Sequence, residues 1–329
     1  MQNFEYVKPE KLDQALAAIQ KTRQQGKRVS VVGGGSDLVG MLKDGLDRPD
    51  VLIDLKGLHE LRFIRETTDG ITIGGLTTLA DIMAHPLIGQ RYLALAQAAE
   101  LAASPQIRNV GTLAGNLCQR PWCSYYRQGF ECFKNGGKIC FAATGENRLH
   151  AIFGGGPSFI VHPSETAPAL VALDAKVTLA GPSGKRTLPL KEFFVAPRQN
   201  PARENVLQDG EILTEVSVPR TAAVRSTYVK VRERRSWDHA IASLALAMEM
   251  DQAVCRSARL VLGGVAPVPW GLPRVEELLR GKKIDRELAR HAGQMSVDGA
   301  RPLKYNGYKV PLVRNLVEAT LLRLAEVAG

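Results

Sequence analysis

The 329-residue sequence has no apolar run long enough to span a membrane, so no membrane insertion is expected. Its first residues, MQNFEYVKPEKLDQAL, lack the basic segment and apolar core of an export signal, and no secretion signal of its own is expected either. The six histidines show no metal-ligand spacing. No Ser/His/Asp grouping and no pair of carboxylates stands out, so nothing argues for hydrolysis. Internal repeats and low-complexity linkers are absent. Cysteine is scarce at five residues, and without an export signal these argue against a disulfide framework. The formal charge of +10 is spread along the chain, with only VKVRERRS as a local concentration. Solubility or docking to an acidic partner explains that charge as well as nucleic acid does, and no nucleic-acid partner is expected.

What is present is ordinary globular material, 45% hydrophobic and 23% charged, in a chain long enough for two or three structural units. PEKLDQALAAIQKT has helical spacing and KRVSVV reads as a strand. With VLIDL they form a small βαβ-like unit. Two short strands follow, LRFIRET and GITIGG, with a hairpin turn at Asp69-Gly70. TTLADIM and RYLALAQAAELAA read as helices. HPSETAPALVALDAKVTLAG is a short helix and a strand, with Ser164 as the expected N-cap. GEILTEVSVP, RSTYVKVRER and SARLVLGGVAP read as strands, and VEELLRGK and LVEATLLRLAEV as helices.

Two glycine turns stand out. VVGGGSDL follows a β-branched strand, and its glycines let backbone N–H groups converge on an anion such as a pyrophosphate. The third glycine of a G-x-G-x-x-G/A fingerprint would fall at Leu38, so this is no Rossmann motif. NVGTLAGN, Asn109 to Asn116, offers further N–H donors and the Thr112 hydroxyl. Taken alone, the first reads better as a plain tight turn and the second has the same alternative; two such turns in one chain raise the odds of a dinucleotide held between them without identifying it.

Four of the five cysteines lie in one stretch, Cys118-x4-Cys123-x8-Cys132-x7-Cys140, rich in Gly, aromatic and basic residues, where little regular structure is expected. Such a group points to metal, and from the cysteines alone zinc and an iron–sulfur cluster are evenly matched. Arg120, Arg127, Lys134 and Lys138 alternate with the cysteines, either favouring a reduced anionic cluster or as solvated loop charges. Trp122, Tyr125, Tyr126, Phe130 and Phe133 are expected to pack the loop. Cys255 reads as a small buried hydrophobe in a strand, and His162 as a local structural residue.

The order VVGGGSDL, ITIGGLTTLADI, IRNVGTLAGN, SETAPALVALDAKV, GEILTEVSVP, YVKVRERRSWDHA resembles the FAD-binding medium subunit of the molybdenum hydroxylases, a family that includes xanthine dehydrogenase, carbon monoxide dehydrogenase and bacterial aldehyde oxidoreductases. The resemblance covers nearly the whole chain. It implies an α+β fold: a vanillyl-alcohol-oxidase-like FAD-binding domain of two α/β subdomains, 1–57 and 58–220, and a C-terminal α+β domain, 221–329. By the same resemblance Val32, Gly33, Gly34, Gly35, Ser36, Asp37 and Leu38 would wrap the FAD pyrophosphate, with Gly111, Thr112, Gly115 and Asn116 opposite. Glu165 stands where relatives usually carry an aspartate that contacts the flavin nucleotide, and Leu213 and Lys230 match positions near the ring system.

The insertion at 117–161 resembles that of 4-hydroxybenzoyl-CoA reductase and periplasmic-type aldehyde oxidoreductases, which implies Cys118, Cys123, Cys132 and Cys140 as ligands of a [4Fe-4S] cluster. The implied partners are a large molybdopterin-binding subunit and a small [2Fe-2S] subunit. Electrons would arrive from them and leave for an external acceptor, with no catalytic residue on this chain. The location implied is the cytoplasm, or the periplasm by co-export with a signal-bearing partner. Two other readings are a self-sufficient flavin oxidase or dehydrogenase and a zinc-stabilised binding protein.

Overall fold

A computed structural model describes residues 1–220, 224–252 and 254–326. The first unit contains β1 (Glu5–Val7), α1 (Leu12–Gln24), β2 (Val29–Val32), α2 (Leu38–Lys43) and β3 (Val51–Asp54), with the strands in the order β1-β3-β2, all parallel. Strand β3 is central and wholly buried, as its run of apolar residues requires in a parallel sheet covered on both faces. Helix α1 lays Ala15 and Ile19, one turn apart, against Val51 and Ile53. The βαβ reading holds, and VVGGGSDL is the β2–α2 connection.

The second unit begins with β4 (Ile64–Thr67) and β5 (Gly70–Gly74). Thr67 pairs with Gly70, so the hairpin turn is Thr68-Asp69, one residue earlier than expected. Then come α3 (Leu79–Ala84), α4 (Pro86–Arg91), α5 (Leu93–Glu100), α6 (Pro105–Arg108), α7 (Leu113–Cys118), the single turn α8 (Ser124–Arg127) and α9 (Thr166–Ala172). Three strands close the unit: β6 (Lys176–Gly181), β7 (Gly184–Pro189) and β8 (Ile212–Pro219). The sheet is antiparallel in the order β4-β5-β8-β6-β7. Ser164 contributes the expected capping bond to α9, its Oγ accepting from Ala167 N at 3.0 Å, although the cap position itself is Glu165.

The third unit holds β9 (Val224–Val231), β10 (Ala242–Asp251), β11 (Val254–Gly263), β12 (Trp270–Gly271), α10 (Pro273–Leu279), β13 (Lys282–Lys283), α11 (Arg286–Met295) and α12 (Lys309–Glu326). Its antiparallel sheet runs β12-β11-β10-β9, with β13 beside β11. Strand β10 is buried on both faces. Leu244, Leu246 and Met248 join the core under α10 to α12, while Ala245 and Ala247 join the core of the second unit. The small alanines let α5 and α9 come close on that side. Cys255 is buried in β11. The expected boundary at 220/221 falls beside residues 221–223, which lie outside the described residues.

A clasp joins the end of the cysteine insertion to this third unit. Asn306 Nδ2 donates to the carbonyls of His150 (3.1 Å) and Ala151 (3.2 Å), Tyr305 N donates to Asn147 Oδ1 (2.9 Å), and Arg301 N donates to the Ile152 carbonyl (2.7 Å). The wholly buried Lys309 donates to the carbonyls of Leu149 (3.0 Å) and Gly264 (2.8 Å).

Candidate functional site

The two glycine turns meet. A Cβ on Gly34 would stand 1.9 Å from the Val110 carbonyl oxygen, and one on Gly33 would stand 2.9 Å from Thr112 Oγ1. The bare Gly34 thus serves the approach of one turn to the other, a different reason from the approach to an anion inferred from sequence. Gly35 takes φ +78°, which favours glycine. Among the described residues, the amides of Gly34, Gly35, Ser36 and Asp37 donate to no protein acceptor, and such a run of free N–H groups suits a phosphate. Thr112 Oγ1 accepts from Gly115 N at 3.1 Å and caps α7. Asn116 Oδ1 accepts from Ser164 Oγ and Thr166 Oγ1, both at 2.6 Å, which ties α7 to α9.

Beside the turns lies a cavity of about 310 Å³, within the range of small-molecule sites. Seven of the residues singled out in the sequence line it: Ser36, Asp37, Gly111, Thr112, Gly115, Asn116 and Glu165. The other seven do not. Gly33, Gly34 and Gly35 shape the turn from behind, while Val32 and Leu38 pack with Leu42 and Leu52. Leu213 is buried in β8 opposite Leu179.

Lys230 stands behind Glu165 with its side chain wholly buried. Its Nζ donates to Glu165 Oε1 (2.8 Å), the Leu101 carbonyl (2.9 Å) and the Asp238 carbonyl (2.6 Å). It is no surface lysine, and its charge is met by a carboxylate.

The far wall, missed in the sequence, is Trp237, Asp238 and His239 from the β9–β10 connection. Trp237 (φ +50°) and Ala103 (φ +45°) both take left-handed backbone, and Trp237 N donates to the Ala103 carbonyl at 3.0 Å. Such strain in non-glycine residues gathers at binding sites. The sequence signal was the end of the motif YVKVRERRSWDHA, which holds all three residues without marking a role for them.

Residues 2–221 match the family described as the FAD binding domain in molybdopterin dehydrogenase, and residues 227–324 match the CO dehydrogenase flavoprotein C-terminal domain. The chain belongs to the FAD-binding subunits of the molybdenum hydroxylases. It is 34% identical to the aldehyde oxidoreductase FAD-binding subunit PaoB of Escherichia coli (strain K12) over 93% of this chain and 94% of that one. It is 30% identical to the nicotinate dehydrogenase FAD-subunit of Eubacterium barkeri over 87% and 83%. The carbon monoxide dehydrogenase structure from Hydrogenophaga pseudoflava superposes with a TM-score of 0.77 at 26% identity, covering 99% of this chain and 98% of that one. The α+β architecture expected from the sequence is therefore the observed one. The lining suits the FAD that the family implies: Ser36 and Asp37 bring unbonded amides to the cavity for a pyrophosphate, and Leu79, Ile107 and Trp122 give apolar walls for a ring system.

In this flavin subunit the cysteine loop is fastened to the first glycine turn. Asp37 Oδ1 accepts from the Arg127 guanidinium at 2.6 Å and Asp37 Oδ2 from Arg120 N at 2.8 Å, while Arg127 also lies over the Trp122 ring at 4.3 Å. Glu204 pairs with Arg120 (3.0 Å) and with the buried Lys134 (2.6 Å). All three cations are paired with carboxylates, Arg127 and Lys134 largely out of water and Arg120 in part, while Lys138 is exposed. The Tyr125, Phe130 and Phe141 rings pack together at 5.0 to 6.0 Å, and Tyr126 is buried. Trp122 is half exposed, its ring 5.3 Å from His239.

The turn CFKNGGKIC folds back on itself. Gly136 takes φ +82°, and a Cβ on Gly137 would stand 1.8 Å from the Glu131 carbonyl oxygen. Phe133 N donates to the Ile139 carbonyl, bringing Cys132 and Cys140 close.

Cys123, Cys132 and Cys140 line one small cavity of about 10 Å³, the space of a single water. Burial pushes the Cys123 thiol up, partly offset by the amides of Tyr126 and Tyr125, and His150 Nε2 lies 3.3 Å from its sulfur. Cys118 is elsewhere. It ends α7, packs against the core of the second unit and is pushed up to about 12 by burial alone. Among the described residues no three His, Cys, Asp or Glu side chains stand at ligand geometry. The expected four-cysteine cluster thus fits this loop only in part. His162 is buried, packed edge-on against Phe194 at 4.8 Å, and burial lowers it to about 4, which keeps it neutral.

Proposed function

We propose that this subunit receives electrons from a large molybdopterin-binding partner and a small [2Fe-2S] partner of an aldehyde-oxidising enzyme, and passes them through FAD to an external acceptor. We also infer that the cysteine loop carries an iron–sulfur cluster, as in the relatives with such an insertion. The observation that carries the reading is the cavity beside the two glycine turns, with the cysteine loop bound directly to one turn through Asp37 and Arg127. Bound there, FAD would supply a carrier that takes electrons singly or in pairs.

The chain's own part is positional. Amides 34 to 37 hold the anionic bridge, Asn116 fixes α7 against α9, and Lys230 fixes the Glu165 carboxylate at the wall. Trp237 and Trp122 contribute aromatic surface to the cavity wall. The aldehyde assignment rests on the 34% identity to the aldehyde oxidoreductase subunit.

The test is to purify the chain alone and with its partner subunits, measuring flavin, iron, sulfide and aldehyde turnover. Flavin with negligible turnover alone, and turnover on adding the partners, is the expected result. Rapid aldehyde oxidation by the isolated chain would favour a self-sufficient oxidase, and a sample with zinc in place of iron and sulfide would reject the cluster.

A further inference from the structure

The four loop cysteines do not form one set. Cys123, Cys132 and Cys140 surround a single cavity, whose other wall carries Ser158, 2% exposed, and Ile160. Cys118 cannot swing in to join them, because both sides of it are pinned. On its N-terminal side, α7 is held by the Thr112 cap and by Asn116, which bonds Ser164 and Thr166. On its C-terminal side, Arg120 is bonded through its amide to Asp37 and paired through its guanidinium with Glu204. Between these anchors the Cys118 thiol lies on the hydrophobic core.

We propose that the loop binds its cluster through Cys123, Cys132 and Cys140 alone, leaving one iron without a protein thiolate, on the side of Ser158. This rests on the cluster reading above and changes its ligand set. The cavity holds little free space, so the three thiols part to admit a cluster. The exposed Ile139 on its wall shows that the site lies just under the surface, within reach of a small oxidant or chelator.

A cubane held by three thiolates has one exchangeable iron. A one-electron oxidant such as ferricyanide takes one electron from [4Fe-4S]2+ to give [4Fe-4S]3+, which releases one Fe2+ and leaves [3Fe-4S]+ with all its sulfide.

The experiment uses the full chain with its partners, reconstituted anaerobically with iron and sulfide, in the wild type and in Cys118→Ala and Cys132→Ala. Flavin content reports that each variant is folded, and Cys118→Ser replaces Cys118→Ala if the latter is not. The expected result is wild-type iron on this chain in Cys118→Ala and its loss in Cys132→Ala. Ferricyanide with EDTA should remove about a quarter of the cluster iron from wild type and Cys118→Ala alike, with the electron paramagnetic resonance of a three-iron cluster appearing. Loss of iron in both Cys118 variants as in Cys132→Ala overturns the proposal, as does a four-iron cluster that resists the oxidant. A wild-type chain that takes up neither iron nor sulfide overturns the cluster reading itself, which is a separate outcome.

Discussion

Replacing Lys230 with methionine removes the buried cation at the centre of a bond network. The ammonium is wholly buried, the Glu165 side chain is 6% exposed, and they stand 2.8 Å apart. Methionine fills much of the volume but leaves the carboxylate charged and unpaired, and the carbonyls of Leu101 and Asp238 lose their donor. Breaking a buried pair in this way costs about 3–5 kcal/mol. The loss also falls on the junction between units, since Lys230 is on β9 and Glu165 begins α9 beside the cavity. The expected outcome is a lower denaturation midpoint together with faster loss of flavin. Changing both residues, Lys230→Met with Glu165→Leu, removes the stranded charge and should recover most of the stability but not the flavin retention. The assay is a double-mutant cycle on denaturation midpoints, with flavin release followed by fluorescence. A single Lys230→Met that costs under about 1 kcal/mol, the value of an exposed pair, would refute the reasoning.

Gly34→Val should drive the two glycine turns apart, because its Cβ meets the Val110 carbonyl oxygen, and cost about 1–3 kcal/mol along with flavin; full flavin occupancy at an unchanged midpoint would contradict it. Gly137→Ala should at least halve the iron content while leaving flavin intact, since only the fold-back of the cysteine loop needs that bare backbone; iron analysis at the wild-type level would refute it. Burial lowers the Lys309 ammonium to about 7. From there to about pH 10.4 the unfolded chain keeps a proton that the folded chain has lost, so this lysine makes stability rise with pH, by up to about 1.4 kcal/mol per unit. Lys309→Met should lack that contribution, and parallel midpoints for the two proteins from pH 7 to 10 would exclude it.

The βαβ unit, the α9 cap and the strands flanking the cavity were legible because each is local: β-branched runs, an N-cap serine, glycine turns between them. Strand β10 was not read, since ASLALAMEMD is buried on both faces and has neither strand alternation nor a turn to mark it. Trp237 escaped for the opposite reason, its role depending on a left-handed backbone and a bond to Ala103, 134 residues away in sequence. Six of the residues carried over by resemblance line the cavity because they sit on the turns themselves, and Glu165 because it holds the cap position of α9 beside them; Leu213 and Lys230 face inward, which strand spacing alone does not reveal. The cysteines were legible as a group but not as a geometry. Spacing shows how far apart ligands are along the chain, while the anchoring of Cys118 comes from Asn116, Asp37 and Glu204, contributed by three separate segments.

The clasp between residues 147–152 and 301–309 also orders events in time. During synthesis the cysteine insertion emerges about 150 residues before the segment that clasps it, and at ribosomal rates of about 5–20 residues per second that interval lasts on the order of ten seconds. Until Asn306 and Lys309 leave the ribosome, the nascent loop is open on one side, and only their emergence allows the clasp to close.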